Sequence, residues 1–328
     1  MKRTARIPSE RLVQQTKRGK LYWGDCAHIL SSRLGAKLRG KVQLILTSPP
    51  FPLNNKKSYG NLNGDHYEKW FASLAPLFAD LLTPRGSIVI EMGNSWMPQR
   101  PVQSLLHLDS LMAFVKNSEA GLRLCQEFIC YNPSRLPSPA QWVTIKRIRA
   151  TDSFTHIWWM AKTDYPKADN RRVLRPYSAS MKALLKRQTY NVGKRPSEHR
   201  ISKTGFLVRH RGSITPNLFE MESIEPGRIV RLPNSFSLSN TNSNDFFFRK
   251  CRERKLVPHP ARMPLGLAAF FIQFLSTPGD LVLDPFAGSN TTGFEAERLG
   301  RRWISIEARR EYSKQSVVRF MDPTLSRK

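Results

Sequence analysis

The apolar run Val42–Thr47 breaks off into Ser48-Pro49-Pro50-Phe51. Adjacent prolines cannot extend a hydrogen-bonded ladder and leave the backbone few conformations, so a strand must end there. Taken alone, the pair is a stiff loop. The chemistry lies in what is stiffened. A hydroxyl and prolyl carbonyls can accept hydrogen bonds, and an aromatic ring follows that offers a flat face.

A second constellation sits near the other end. The segment LDPFAGSNTTG (283–293) joins a strand pattern to a helix pattern. Gly288 permits a tight turn, Ala287 and Ser289 are small enough for backbone to approach a ligand, and Asn290, Thr291 and Thr292 are expected to cap the helix. Neither G-x-G-x-x-G nor a P-loop lysine is present, which disfavours a phosphate cradle. The next strand ends at Glu307, 19 residues past Gly288. An acid at that strand tip takes two ribose hydroxyls in such folds. An acid-lined nucleoside site without a phosphate loop suits a cationic nucleoside, and the sulfonium S-adenosylmethionine is one.

Strand and helix patterns alternate around these motifs. KLYWGD (20–25) and VQLILTS (42–48) read as strands, the second buried because it is nearly all apolar. Residues 66–82 put Trp70, Phe71, Leu74, Leu77, Phe78 and Leu81 at helical spacing. Pro84 and Gly86 should stop that helix before a strand at 87–93. A weaker helix is expected near 103–120, with strands at 122–131 and 153–162. From 165 to 258 periodicity fades into basic and Ser/Asn-rich sequence, expected to form an inserted module or long loops outside the sheet core. Helices at 264–276, 291–300 and 310–321 then alternate with strands at 280–288 and 302–307. Strands separated by helices imply parallel βαβ units in an open α/β sheet.

Charge limits the partners. The 328 residues hold 53 Lys and Arg against 25 Asp and Glu, a formal charge of +28. Such an excess repels itself in a folded chain and makes sense beside a polyanion, so nucleic acid is the expected partner. The excess concentrates between 165 and 255, where 20 basic residues face 7 acidic ones. No run approaches the roughly 20 apolar residues of a membrane span. Four cysteines without metal or redox spacing (Cys26, Cys125, Cys130, Cys251) suit reduced thiols in a cytoplasmic protein.

On these motifs the sequence resembles the amino-group DNA methyltransferases. SPPF is similar to their catalytic motif and DPFAGSNTTG to their cofactor motif. The order, catalytic motif first, resembles the circularly permuted β group, and Ser48 at the motif's first position resembles its cytosine-N4 members. GNL (60–62), NPSRLPSP (132–139), IWWMAKTDYPK (157–167) and HPARMP (259–264) also look like family segments, so the resemblance spans roughly residues 20–320.

The resemblance implies a Rossmann-like S-adenosylmethionine-dependent methyltransferase fold. Its sheet would be mostly parallel and seven-stranded, with one antiparallel strand and an inserted target-recognition region. Residues 1–164 would be the catalytic part of the core, 165–258 the basic target-recognition region and 259–328 the cofactor-binding part. Asp284, Phe286, Gly288 and Ser289 would wrap the methionine and ribose of the cofactor, with Thr291 beside them. Glu307 would take the ribose hydroxyls and Asp25 the adenine amino group.

Ser48 and Pro49 would accept hydrogen bonds from an exocyclic amino group whose lone pair is delocalised into its ring, and the rigid Pro49–Pro50 backbone would hold that geometry ready. Phe51 would stack on the extruded base. Glu91, ending SIVIE, would take the amino proton directly or through Ser48, although its plain reading is a charged strand end beside an arginine. Trp158 and Trp159 point to opposite faces of their strand, so one could line the base pocket while the other is core. Arg171, Arg172, Arg175, Arg195, Arg200, Arg209 and Arg211 are the candidates to contact double-stranded DNA.

The resemblance also implies a type II restriction–modification system whose endonuclease is a separate polypeptide. Adenine-N6 transfer remains an alternative reading, as do an RNA methyltransferase and a basic DNA-binding protein with an inactive core. A nicotinamide dehydrogenase would leave SPPF and the charge unexplained. Cytosine-C5 chemistry needs an attacking thiolate, and no cysteine here follows a proline.

Overall fold

Continuous apolar runs become strands and 3.6-residue periodicity becomes helices in the computed structural model, which describes residues 10–51, 64–190, 192–194, 196–221, 236–238, 245–322 and 325. Gly60–Leu62 and Arg195 lie outside the described residues. The first half supplies β1 (Arg11–Gln15), β2 (Gly19–Trp23), β3 (Val42–Thr47), β4 (Leu82–Gly93), β5 (Ser95–Trp96), β6 (Gln103–Ser104), β7 (Arg123–Tyr131) and β8 (Phe154–Ala161). β9 (Gly193–Lys194), β10 (Arg200–Ile201), β11 (Leu218–Met221), β12 (Phe236–Leu238), β13 (Leu281–Asp284) and β14 (Arg302–Glu307) follow. The helices are α1 (Cys26–Leu30), α2 (Arg33–Leu38), α3 (Gly64–Leu81), α4 (Leu106–Val115), α5 (Ala179–Arg187), α6 (Phe246–Glu253), α7 (Leu265–Leu275), α8 (Thr291–Arg298) and α9 (Arg310–Ser316).

Ten strands form one sheet in the order β1-β2-β14-β13-β3-β4-β8-β7-β11-β12. Seven of them, β2 through β7 in that order, are the expected mostly parallel sheet, with β8 antiparallel to both neighbours. Three strands extend it beyond the expectation. β1 pairs antiparallel with β2, while β11 and β12 run parallel beyond β7. The basic segment therefore does enter the sheet core. Phe219 and Leu238 are buried against the α7 side, but strands of four and three residues are too short to show alternation in sequence.

Pro84 and Gly86 do not separate α3 from the next strand. Chain passes straight from Leu81 into β4, and the two residues sit where the pairing with β3 slips between Val42↔Leu82 and Leu44↔Ser87. A proline missing its N–H is tolerated at such an irregularity. The sheet has a core on each face. One contains Phe71, Leu74 and Phe78 of α3 with Ile29 and Phe114, and the other contains Leu267, Phe271 and Leu275 of α7. β3 is buried along its whole length because both faces are covered. Chain leaves β3 toward β4 on one side and β13 toward β14 on the other, so the carboxyl ends of β3 and β13 flank a topological switch point, where open α/β sheets bind ligands.

Candidate active site

The switch point opens into a cleft of about 650 Å³ that touches Ser48, Pro49, Pro50, Phe51, Glu91, Asp284, Phe286, Gly288, Ser289, Thr291 and Glu307. Two constellations more than 230 residues apart in sequence thus share one wall, because parallel strands deliver their carboxyl ends to one edge.

The Ser48 end is braced from below. Tyr67 of α3 donates its hydroxyl to the Pro50 carbonyl at 2.7 Å. The Phe51 ring lies against Gly93, where an added Cβ would stand 2.5 Å from ring carbon Cε2. Gly93→Ala must therefore push Phe51 off its seat. The expected result is lower transfer activity with a stability loss of about 1–3 kcal/mol, measured by steady-state kinetics and chemical denaturation. Ser48 hydrogen-bonds the Glu91 carboxyl, and Thr155 of β8 donates to Glu91 Oε1 at 3.2 Å. Burial raises the Glu91 pKa to about 7 against the opposing pull of those hydroxyls and of Arg135. Cys130 also lines the cleft, but burial and the Glu91 charge push its thiol up to about 12. That leaves no thiolate for attack on a ring carbon.

The opposite end is an acid floor. Asp284 Oδ1 accepts from the Thr47 hydroxyl at 2.7 Å and from Phe286 N at 3.1 Å. Glu307 Oε2 accepts from Gly288 N at 2.8 Å and Oε1 from Arg309 N at 2.7 Å. Burial raises Asp284 to about 6 and Glu307 to about 7, and the Asp284 charge adds to the second. Gly288 takes φ +50°, a conformation glycine adopts without strain, and its position faces the His259 ring at ordinary contact distance.

The loop is pinned from behind. Gln315 donates to Gly288 O at 3.2 Å, and buried Arg319 donates to Ser289 O at 2.9 Å and to its hydroxyl at 3.2 Å. Arg319 also stacks on Phe247 of α6, 4.4 Å from the ring centroid. Tyr67, Thr155, Gln315 and Arg319 carry no local motif. Their roles appear only once the elements pack.

Several expected placements differ. Asp25 is exposed and absent from the cleft lining. Its carboxylate caps α1 by accepting from His28 N at 2.9 Å. Asn290 does not cap α8 with its side chain. It adopts φ +56° and accepts from the Ser305 hydroxyl at 2.7 Å. Trp158 and Trp159 both belong to the core, bonded to Glu127 and Ser87, and neither lines the cleft.

Arg171 and Arg172 lie at the edge of the sheet opposite the cleft. Arg172 donates to the carbonyls of Phe274 and Ser276, at the end of α7 just before β13 begins, and Arg171 pairs with Asp169 beside it. Those positions flank the amino ends of the strands, opposite the cleft. Arg175 bridges Ser213 through its backbone, closing the neck of an excursion. Arg200, Arg209 and Arg211 are exposed on that excursion.

Comparison with known proteins agrees with this geometry. The family model described as DNA methylase, covering N6 and N4 methyltransferases, matches residues 42–318. This chain belongs to that family. It is 39% identical over 313 residues to the type II methyltransferase M.PvuII of Proteus hauseri, covering 95% of this chain and 86% of the relative. The solved PvuII DNA methyltransferase, titled cytosine-N4-specific, superposes with a TM-score of 0.70 at 32% identity, covering 99% of this chain and 97% of that one. The M1.HpyAVI–SAM complex shares the fold, with a TM-score of 0.51 at 19% identity, 92% of this chain and 98% of that one. Among the described residues of this DNA methylase, no helix is long and apolar enough to cross a membrane.

The cleft suits the cofactor such enzymes use. Its volume falls in the ordinary ligand range of about 300–1,000 Å³. Two buried acids line its floor, and the glycine turn brings backbone close to both.

Proposed function

We propose that the chain transfers a methyl group from S-adenosylmethionine to the N4 amino group of cytosine flipped out of duplex DNA, as the protective enzyme of a type II restriction–modification system. The observation that carries this reading is one cleft lined by Ser48, Pro49, Phe51 and Glu91 at one end and by the buried acids Asp284 and Glu307 at the other. S-Adenosylmethionine, when bound, supplies an electrophilic methyl carbon on a sulfonium. Asp284, Phe286, Gly288, Ser289, Thr291 and Glu307 would hold it. A buried carboxylate floor favours a cation, and Glu307 retains lone pairs for a ribose diol beside its two backbone donors.

The chain's own groups handle the base. Ser48 Oγ and the Pro49 carbonyl accept the two amino N–H bonds, while the Ser48 hydroxyl donates to Glu91. As the nitrogen takes the methyl carbon, whose bond to sulfur would break to leave a neutral thioether, the proton released from nitrogen passes through Ser48 to the Glu91 carboxylate. Tyr67 keeps the elbow from yielding, so the acceptors need not reorganise. Phe51 supplies the stacking face. The expected base is cytosine because Ser48 opens the motif, and the similar PvuII enzyme is titled cytosine-N4-specific.

Methylome sequencing of DNA from cells expressing the chain tests the reading. N4-methylcytosine at one short sequence is expected. Methylated adenine at a single motif would instead establish the adenine-N6 alternative.

A further inference from the structure

We infer that the excursion between β7 and β8 is a second DNA-contacting element, in which Leu136 fills the gap left in the duplex by the target base while Lys146 and Arg147 take flanking phosphates. The inference rests on the duplex-DNA reading above. β7 ends and β8 begins at the cleft edge of the sheet, so everything between Tyr131 and Phe154 hangs over that edge. Arg135 and Thr155 reach into the cleft beside Glu91. The residue after Arg135 is Leu136, 81% exposed, the highest value among the large apolar side chains described. Leu136 thus follows directly on a residue that lines the cleft, with about 3.8 Å between the two Cα atoms.

The excursion is built to hold such a side chain out. Asn132 N donates to Ser153 O at 2.8 Å and Asp152 N to Ser138 O at 3.2 Å, closing its base. Pro133, Pro137 and Pro139 stiffen the strip that carries Leu136. At the tip, a wide turn over Gln141–Ile145 leads into Lys146 and Arg147, the latter at φ +54°. Ile145 is 68% and Ile148 51% exposed there. Arg149 ties the tip to the Pro101 carbonyl at 2.8 Å.

Charge selects the occupant. The strip 132–152 holds four cations and one acid, Asp152, which accepts from Asn94 at 2.8 Å. Lys146 and Arg147 are exposed and form no ion pair among the described residues. An apolar side chain on a cationic element beside the cleft matches how proteins wedge a base stack while gripping the backbone. Arg171 and Arg172, at the far edge, cannot reach that place.

Three variants, Leu136→Ala, Leu136→Phe and the pair Lys146→Ala/Arg147→Ala, test this on full-length protein with a duplex carrying the mapped site. Leu136→Ala should slow single-turnover methylation about ten-fold or more, because the open stack loses its filler. Leu136→Phe should keep most activity. A duplex with an abasic residue opposite the target should restore the Ala variant, since that substrate needs less help to open. The double variant should flatten the salt dependence of DNA binding by about 0.9 log unit per lost phosphate contact. Thermal midpoints should not move, because these side chains are exposed.

Wild-type rates and salt slopes in all three variants would overturn the inference and leave the parent reading standing. A loss in Leu136→Ala that shows only in sedimentation would also overturn it, by making the tip a contact between copies. A wild-type protein that methylates no DNA would bring down the parent reading and this inference together.

Discussion

Glu91→Gln is expected to lower the methyl-transfer rate about 10²–10⁴-fold while leaving cofactor and DNA affinities within a few-fold. A glutamine amide can still meet the Ser48 and Thr155 hydroxyls, so the pocket keeps its shape. What it cannot do is accept the proton that leaves the amino nitrogen. The pH profile separates these roles. Burial holds Glu91 near pKa 7, so in the wild type the base form is lost as pH falls through about 7. The rate at saturating cofactor should fall with it, and the variant should show no such limb.

Stability gives the complementary sign. A carboxyl whose pKa is raised in the fold favours the folded state below its unfolded value, and that contribution disappears as pH rises through about 7. Glu91→Gln should therefore leave the thermal midpoint unchanged or higher at pH 8. A variant that kept wild-type rates would remove Glu91 from the mechanism.

Glu307→Gln should weaken S-adenosylmethionine binding about ten- to hundred-fold with DNA affinity retained. Both Glu307 oxygens accept backbone N–H groups, one from Gly288 and one from Arg309. Glutamine can satisfy only one of them and turns its NH₂ against the other. A buried donor left without a partner costs about 1–3 kcal/mol, and the glycine turn loses its anchor. The wild type should also bind the cofactor more tightly as pH rises from 5.5 to 7.5. Asp284 near 6 and Glu307 near 7 lose protons across that window, and each lost proton adds negative charge to the floor. Isothermal titration calorimetry at several pH values measures both effects. An unchanged affinity in Glu307→Gln would place the cofactor elsewhere.

The parts of this molecule legible in sequence are those where one residue type has one physical use. Pro49–Pro50 ends a strand wherever it occurs, and Gly288 followed by Glu307 fixes a turn and a strand tip by spacing alone. The central strands were legible because both their faces are apolar. β11 and β12 were not, since Phe219 and Leu238 enter the core on pieces too short to carry a period. Asp25 is ambiguous in another way: an acid after a Gly at a strand end fits a ligand contact and a helix cap equally well, and its Oδ1 caps α1 here. Arg171 and Arg172 look like free cations in a basic stretch, yet the fold spends them on Asp169 and on the carbonyls ending α7. Arg319 and Tyr67 brace the site from helices whose sequences suggest only packing.

One measurement bears on the core of the account. Purified protein, DNA carrying the mapped site and S-adenosylmethionine bearing a trideuterated methyl group are incubated, and the nucleosides are resolved by mass spectrometry. The account predicts deuterated N4-methylcytosine, reduced at least about 100-fold by Ser48→Ala. Label in 5-methylcytosine or N6-methyladenine, or an undiminished yield from Ser48→Ala, would contradict it.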